Sequence, residues 1–226
     1  MGDLEKLIPQ ESPTVTAIFD WHKKTGDSEP RRTYLGASIL GTECERALWY
    51  AFRWCADPQF EGRLYRLFET GDLEEARFVR DLRAVGCTVY EVDPDTGEQF
   101  AISGVGGHFK GHADGVAVGI HEAPETWHLL EFKTASDKEW NKIKASGVKS
   151  AKPMHYTQMM VYMGKMKLSR AFYMAKNKNT EEIYAERIRY NAEEFQLYMD
   201  KAERIITAQM PPERISTRAD FFVCRF

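Results

Sequence analysis

Between His108 and Lys133 the chain reads HFKGHADGVAVGIHEAPETWHLLEFK, which sets three charged residues inside text that otherwise alternates or clusters apolar residues as strands do. Asp114 falls in the middle of GHADGVA, and Glu131 and Lys133 fall in HLLEFK. A carboxylate taken out of water is costly, and two close together are costlier still, unless a cation neutralises them. A divalent metal ion is the economical cation for that purpose. Successive strand residues point to opposite faces, so Glu131 and Lys133 share one face while Phe132 points into the core. The expectation is a single face that gathers Asp, Glu and Lys around a hard ion.

Two flanking features extend the pattern. Upstream, FETGDLEEARFVRDLRAVG spaces Leu73, Ala76, Phe78, Val79, Leu82 and Val85 as the apolar stripe of a helix that carries Glu75 and stops at Gly86. Downstream, HYTQMMVYMGKM places Gln158 and Tyr162 one helical turn apart, on one face. Taken in order, Glu75, Asp114, Glu131-Phe132-Lys133 and Gln158-x-x-x-Tyr162 resemble the motifs of the PD-(D/E)XK nuclease superfamily, in its RecB-like and lambda-exonuclease-like phage branches. The resemblance covers residues 34 to 190. His155-x-x-Gln158 also fits phage exonucleases of this kind.

The resemblance implies an α/β fold: a central mixed β-sheet flanked by helices, the restriction-endonuclease-like core, with an N-terminal helical region and a long C-terminal helix. It implies a Mg2+- or Mn2+-dependent deoxyribonuclease, an exonuclease before an endonuclease, acting on double- or single-stranded DNA in processing or recombination. A single-strand annealing or recombination protein is the implied protein partner. Asp114, Glu131, the backbone carbonyl of Phe132 and Glu75 would hold the metal, because hard oxygen ligands select such ions. Lys133 would orient or deprotonate the attacking water, Gln158 would position a phosphate or the lysine, and Tyr162 would contact nucleic acid or pack. Ser38 and Arg46 fall where related nucleases engage DNA. Two other readings stand beside this one: a catalytically silent nuclease fold that binds DNA or a protein, and an overhang-trimming enzyme like those of CRISPR adaptation. Some RecB-like nucleases hold an iron–sulfur cluster, and Cys44 and Cys224 would suit its first two ligands, but the remaining ligands are absent and the chain as written supports no cluster.

The net charge of −3 argues at first against a nucleic-acid partner, but its distribution does not. From Lys133 to Lys178 eleven basic side chains face only Asp137 and Glu139, a net +9 that leaves −12 on the rest. Phosphate contacts by Lys and Arg supply most sequence-independent affinity for DNA. Lys138 and Lys142, on a helix capped by Ser136, are expected over the cleft, and Arg63 and Arg66 share one face of an earlier helix. No apolar run approaches the roughly 20 residues that cross a bilayer, and the N-terminus lacks a signal-peptide core. The expected setting is the cytoplasm, that of the host if the chain is phage-encoded, with no membrane partner.

The remaining text divides into an arm and helix over residues 1–33, a nuclease domain over 34–210 and a tail over 211–226. Val15, Ile18, Phe19 and His22 space a first helix. Thr42 and Glu45 form a capping box, so a helix is expected from Thr42 to Trp54 with Leu48, Ala51 and Phe52 inward. The arginine-bearing helix of DPQFEGRLYRLFET is expected to be separate from the Glu75 helix. CTVYEVD and EQFAISGVGG read as strands around the turn PDTG, and SRAFYMAKNK and EEIYAERIRY as two more, the second at the sheet edge. The last helix turns Phe195, Tyr198, Met199, Ala202, Ile205 and Ile206 inward and ends at Pro211 and Pro212.

Overall fold

Pro13, with its φ already helical, opens α1 (Pro13–Asp27) in the computed structural model, which describes residues 12–55, 58–218 and 221. There follow β1 (Leu35–Gly36), α2 (Glu45–Phe52), α3 (Gly62–Ala84), β2 (Thr88–Tyr90), β3 (Ala101–Gly104), β4 (Phe109–His112) and β5 (Gly115–Val118). Then come β6 (His128–Ala135), α4 (Asp137–Ala151), α5 (Pro153–Met166), β7 (Arg170–Asn177), β8 (Ile183–Arg189) and α6 (Ala192–Thr207). The class is the expected one, mixed sheets flanked by helices with a helical N-terminal region and a long C-terminal helix. Among the described residues no helix is long and apolar enough to cross a membrane.

The chain forms two compact units, residues 1–31 with 58–73 and residues 32–57 with 74–226. The first holds α1 and the opening half of α3. There the Tyr65 hydroxyl donates to Asp27 Oδ1 at 2.7 Å, Lys23 Nζ donates to the Phe60 carbonyl at 3.1 Å, and Phe60, Tyr65 and Phe68 meet edge to face. Gly62 is required at its position, because a Cβ would stand 1.8 Å from the Phe19 carbonyl oxygen.

The second unit is built on a five-stranded sheet of order β2-β5-β6-β7-β8, with a three-stranded sheet β1-β4-β3 beside it in the same unit. β2, β5 and β6 run antiparallel in sequence, β6 and β7 pair in parallel, and β8 closes an antiparallel edge. A parallel pair needs a crossover, and α4 with α5 supplies it. Both faces of β6 and β7 are covered, which is why HLLEF and AFYMA read as nearly continuous apolar runs. On one face Leu130, Phe132, Phe172 and Met174 pack against Phe78, Val79 and Leu82 of α3, and Phe78 stacks on Phe132 with ring centroids 5.1 Å apart. On the other, Leu129, Ala135, Ala171 and Tyr173 join a larger core with Trp140, Ile143 and Met159 of the crossover helices.

Several expectations are corrected. The Arg63 and Glu75 segments are one helix, since a lone Gly71 costs about 1 kcal/mol against Ala without ending a well-packed helix. Its buried stripe is Phe78, Val79 and Leu82, while Leu73 and Val85 are exposed. The Schellman end is as expected: Gly86 takes φ +95°, and the Cys87 N–H reaches the Leu82 carbonyl at 3.0 Å. No capping box forms at Thr42, whose N–H closes a turn on Ile39, so α2 starts three residues later behind Cys44 and turns Trp49 rather than Ala51 inward. The strands around PDTG separate into different sheets, β2 pairing with β5 and β3 with β4. The α4 lysines do have an apolar stripe opposite them, Trp140, Ile143, Val148 and Ala151, interrupted by a kink at Gly147. α6 ends at Thr207, before the two prolines.

Candidate active site

The GHADGVA segment is not one strand. β4 ends at His112, β5 begins at Gly115, and Asp114 occupies the bend between them, which corrects the expectation of a mid-strand carboxylate. The bend turns the carboxylate onto β6, where the Phe132 N–H donates to Asp114 Oδ2 at 2.7 Å. Period two holds in β6 itself. Phe132 enters the aromatic stack on the α3 face, and Glu131 and Lys133 take the opposite face, with Lys133 Nζ 2.6 Å from Glu131 Oε1 and 4.0 Å from Asp114 Oδ2. The ammonium also donates to the Phe132 carbonyl at 2.8 Å. The two acids, the lysine and the backbone oxygen named from sequence therefore converge.

The electrostatics of this group are severe. Glu131 is fully buried, and no hydrogen-bond donor of regular geometry satisfies either of its oxygens. Burial first, then the neighbouring Asp114 and Glu75 charges, push its carboxyl up to about 8 despite the Lys133 ion pair. Burial also raises Asp114, opposed by Lys133 and the Phe132 N–H. Burial alone would lower Lys133, but Glu131, Asp114 and Glu75 outweigh it and hold the ammonium above the usual lysine range. A lysine so placed orients a water better than it deprotonates one. Of the two adjacent glutamates on α3, Glu75 is the one whose charge reaches Glu131 and Lys133. Glu74 is bound to Lys176 at 2.9 Å in a cluster with Arg77 and Glu181.

Among the described residues no three His, Cys, Asp or Glu side chains stand as a ready-made cage. The donor set nevertheless fits a hard divalent ion. It consists of oxygens only, and the buried Glu131 carboxyl, ion-paired at Oε1 to Lys133 and without a partner at Oε2 among the described residues, is raised in pKa, which marks a demand for positive charge that one ammonium does not meet.

Gln158 and Tyr162 of α5 lie beside this group. Both are buried, and burial followed by the Glu131 and Asp114 charges raises the Tyr162 hydroxyl's pKa, with the Gln158 side chain opposing the rise. Both also line a cleft of ≈ 170 Å³ with Arg32, Tyr34, Ser38, Lys110 and His112. Ser38 is thus one of the residues lining the cleft. Arg32, Tyr34 and Lys110 were missed in the sequence, although period two in FKGH puts Lys110 and His112 on one face of β4, and Lys110 Nζ lies 5.7 Å from the Tyr34 ring centre.

Of the other expected contacts in this unit, Arg46, Lys138 and Lys142 are not among the residues lining the cleft. Arg46 Nε donates to the Pro212 carbonyl. Lys138 and Lys142 are exposed on α4, and Arg63 and Arg66 are exposed on the part of α3 in the other unit. Of the basic run, Lys133, Lys149, Lys152 and Lys176 are held by carboxylates. Cys44 is buried ahead of α2, and Cys224 lies outside the described residues.

No family model matches the chain, and no curated protein matches it. Among solved structures it is similar to an alkaline exonuclease, LHK-Exo, from Laribacter hongkongensis, with TM-score 0.51 and 15% identity over 83% of this chain and 90% of that one. It is similar to LHK-Exo in complex with dAMP at TM-score 0.52, again with 15% identity, over 84% and 90% of the two chains. The structure of SSO0001 matches at TM-score 0.50 and 15% identity over 89% and 90%. At such identity the likeness shows a shared fold.

Proposed function

We propose that the chain is a PD-(D/E)XK nuclease, a divalent-metal-dependent deoxyribonuclease that removes nucleotides from DNA ends. The observation that carries this reading is Glu131, fully buried with one ammonium as its counter-charge, meeting Asp114, Lys133 and the charge of Glu75 midway along β6. The shared fold with an alkaline exonuclease supports it, as does a structure of that enzyme holding dAMP.

Glu131, Asp114, the Phe132 carbonyl and Glu75 would hold Mg2+ or Mn2+. When bound, the ion supplies an activated water and stabilises negative charge on the phosphate. Lys133, charged and anchored to the Phe132 carbonyl, orients the attacking water and adds a donor to the developing charge. Gln158 links this centre to the cleft. With Arg32, Lys110, His112 and the Ser38 hydroxyl on its walls, the cleft suits a terminal phosphate, and holding a strand end there favours removal of terminal nucleotides over internal cutting.

The test is incubation of linear duplex, linear single-stranded and closed circular DNA with Mg2+. Release of mononucleotides from linear DNA is expected, with circles left intact, and Glu131→Ala and Lys133→Ala should each lose cleavage at least about a hundredfold while still binding DNA. Cutting of circles would favour an endonuclease, and undiminished cleavage by both variants would remove the assignment.

A further inference from the structure

The parallel register of β6 and β7 places Tyr173 directly beside Glu131, on the same face of the sheet. Tyr173 is wholly buried, and its hydroxyl is 3.0 Å from His155 Nδ1 in the first turn of α5. A tyrosine hydroxyl carries one proton, and among the described residues His155 is its hydrogen-bond partner. If Nδ1 were the donor, the tyrosine proton would be buried without an acceptor, which is unfavourable. The favourable arrangement has Tyr173 donating to Nδ1, which leaves the proton of a neutral imidazole on Nε2.

His155 is half-buried, unlike Tyr173, and its Nε2 bonds to none of the described residues. Burial, then Lys133 and Lys152, pull its pKa down to about 3, so the ring is uncharged at neutral pH. Along α5, His155, Gln158 and Tyr162 follow at i, i+3 and i+7, one helical stripe leading to the cleft.

We propose that His155 donates an uncharged, fixed Nε2–H hydrogen bond to a non-bridging phosphate oxygen of the bound DNA strand beside Lys133, with Tyr173 as the positioning residue that sets its tautomer. The inference rests on the nuclease reading and adds a substrate contact to it. Beside Lys133 and Lys152, a neutral donor gives direction without a third positive charge. Glu139, which holds Lys152, is the acidic group on the His155 side.

The experiment combines kinetics with nitrogen NMR on the full chain. His155→Ala should lower kcat/KM about tenfold or more, the scale of one hydrogen bond to a charged group. His155→Gln, which can still present an N–H, should recover most of that loss, and thermal midpoints of both variants report on packing separately. In histidine-labelled protein without metal, long-range 1H–15N correlations should find the His155 proton on Nε2. Tyr173→Phe should shift protons toward Nδ1, and addition of a single-stranded oligonucleotide should move the Nε2 resonance in the wild type. A proton on Nδ1, an unmoved Nε2 resonance, or equal kinetics for the wild type, Ala and Gln forms overturns the inference. Failure of the wild-type chain to degrade any DNA with Mg2+ overturns the nuclease reading instead, so the two failures are distinguishable.

Discussion

The unmet charge at Glu131 yields a measurable linkage between divalent metal, protons and stability. With its carboxyl near 8 in the folded chain against an ordinary 4.5, the metal-free protein binds a proton more tightly folded than unfolded. This group's contribution to stability is therefore full at low pH and is lost as pH rises from the unfolded value through about 8. A divalent ion that takes the deprotonated carboxylate reverses the trend. At pH 8.5 and a metal concentration near 100 times Kd, binding adds about 2.7 kcal/mol, which for a chain of this size raises Tm by about 5–11 °C. Two pH units below the carboxyl's pKa, proton competition weakens apparent affinity about a hundredfold, and the gain shrinks to about 0.4 kcal/mol. The assay is thermal unfolding with Mn2+, Mg2+ or EDTA at pH 6 and 8.5, on the wild type and on Glu131→Gln, which keeps the shape and removes the charge. No stabilisation at pH 8.5, or an equal shift in Glu131→Gln, would refute the argument that these oxygens seek a divalent cation.

Two further outcomes test the scaffold. Phe132→Ala removes one ring of the Phe78 stack between β6 and α3 and should cost about 3–5 kcal/mol in urea unfolding; a loss under about 1 kcal/mol would mean that this face does not fix the strand. Gly111→Ala would put a Cβ 2.5 Å from the Tyr162 hydroxyl and 3.0 Å from the Ala37 Cβ, so a penalty of about 1–3 kcal/mol is expected, with weaker DNA binding if Tyr162 is pushed toward the cleft; an unchanged Tm with unchanged binding would contradict the packing.

Sequence periodicity revealed the parts of the site set by local geometry. Alternation in HLLEFK was enough to divide Phe132 from Glu131 and Lys133, and the four-residue step from Gln158 to Tyr162 was enough to align them, because both periods are backbone properties. The break at Asp114 was hidden, since GHADGVA alternates across the bend as a continuous strand would. The register between β6 and β7 sets Tyr173 beside Glu131, and the packing of α5 on β7 sets the Tyr173–His155 bond; no local pattern encodes either. The cleft also depends on long-range pairing: Arg32, Ser38 and Lys110 meet because β1 pairs with β4, Leu35 opposite Phe109. The ion pairs within the basic run were hidden for a similar reason, because Glu74, Glu139 and Glu194, which neutralise three of its lysines, either lie outside the segment or look like its solvated face.

Asp114 belongs to neither sheet. Only Ala113 and Asp114 separate the last residue of β4 from the first of β5, while the Asp114 carboxylate is fastened to the backbone of β6. At Gly115, with φ +148°, a Cβ would meet the Tyr90 carbonyl oxygen at 2.6 Å, so the seam admits no side chain on that side. A metal ligand carried on such a seam, as proposed for Asp114, would inherit the alignment of both sheets. A disturbance along their junction, even in residues remote from every carboxylate, would then displace an oxygen of the proposed metal site.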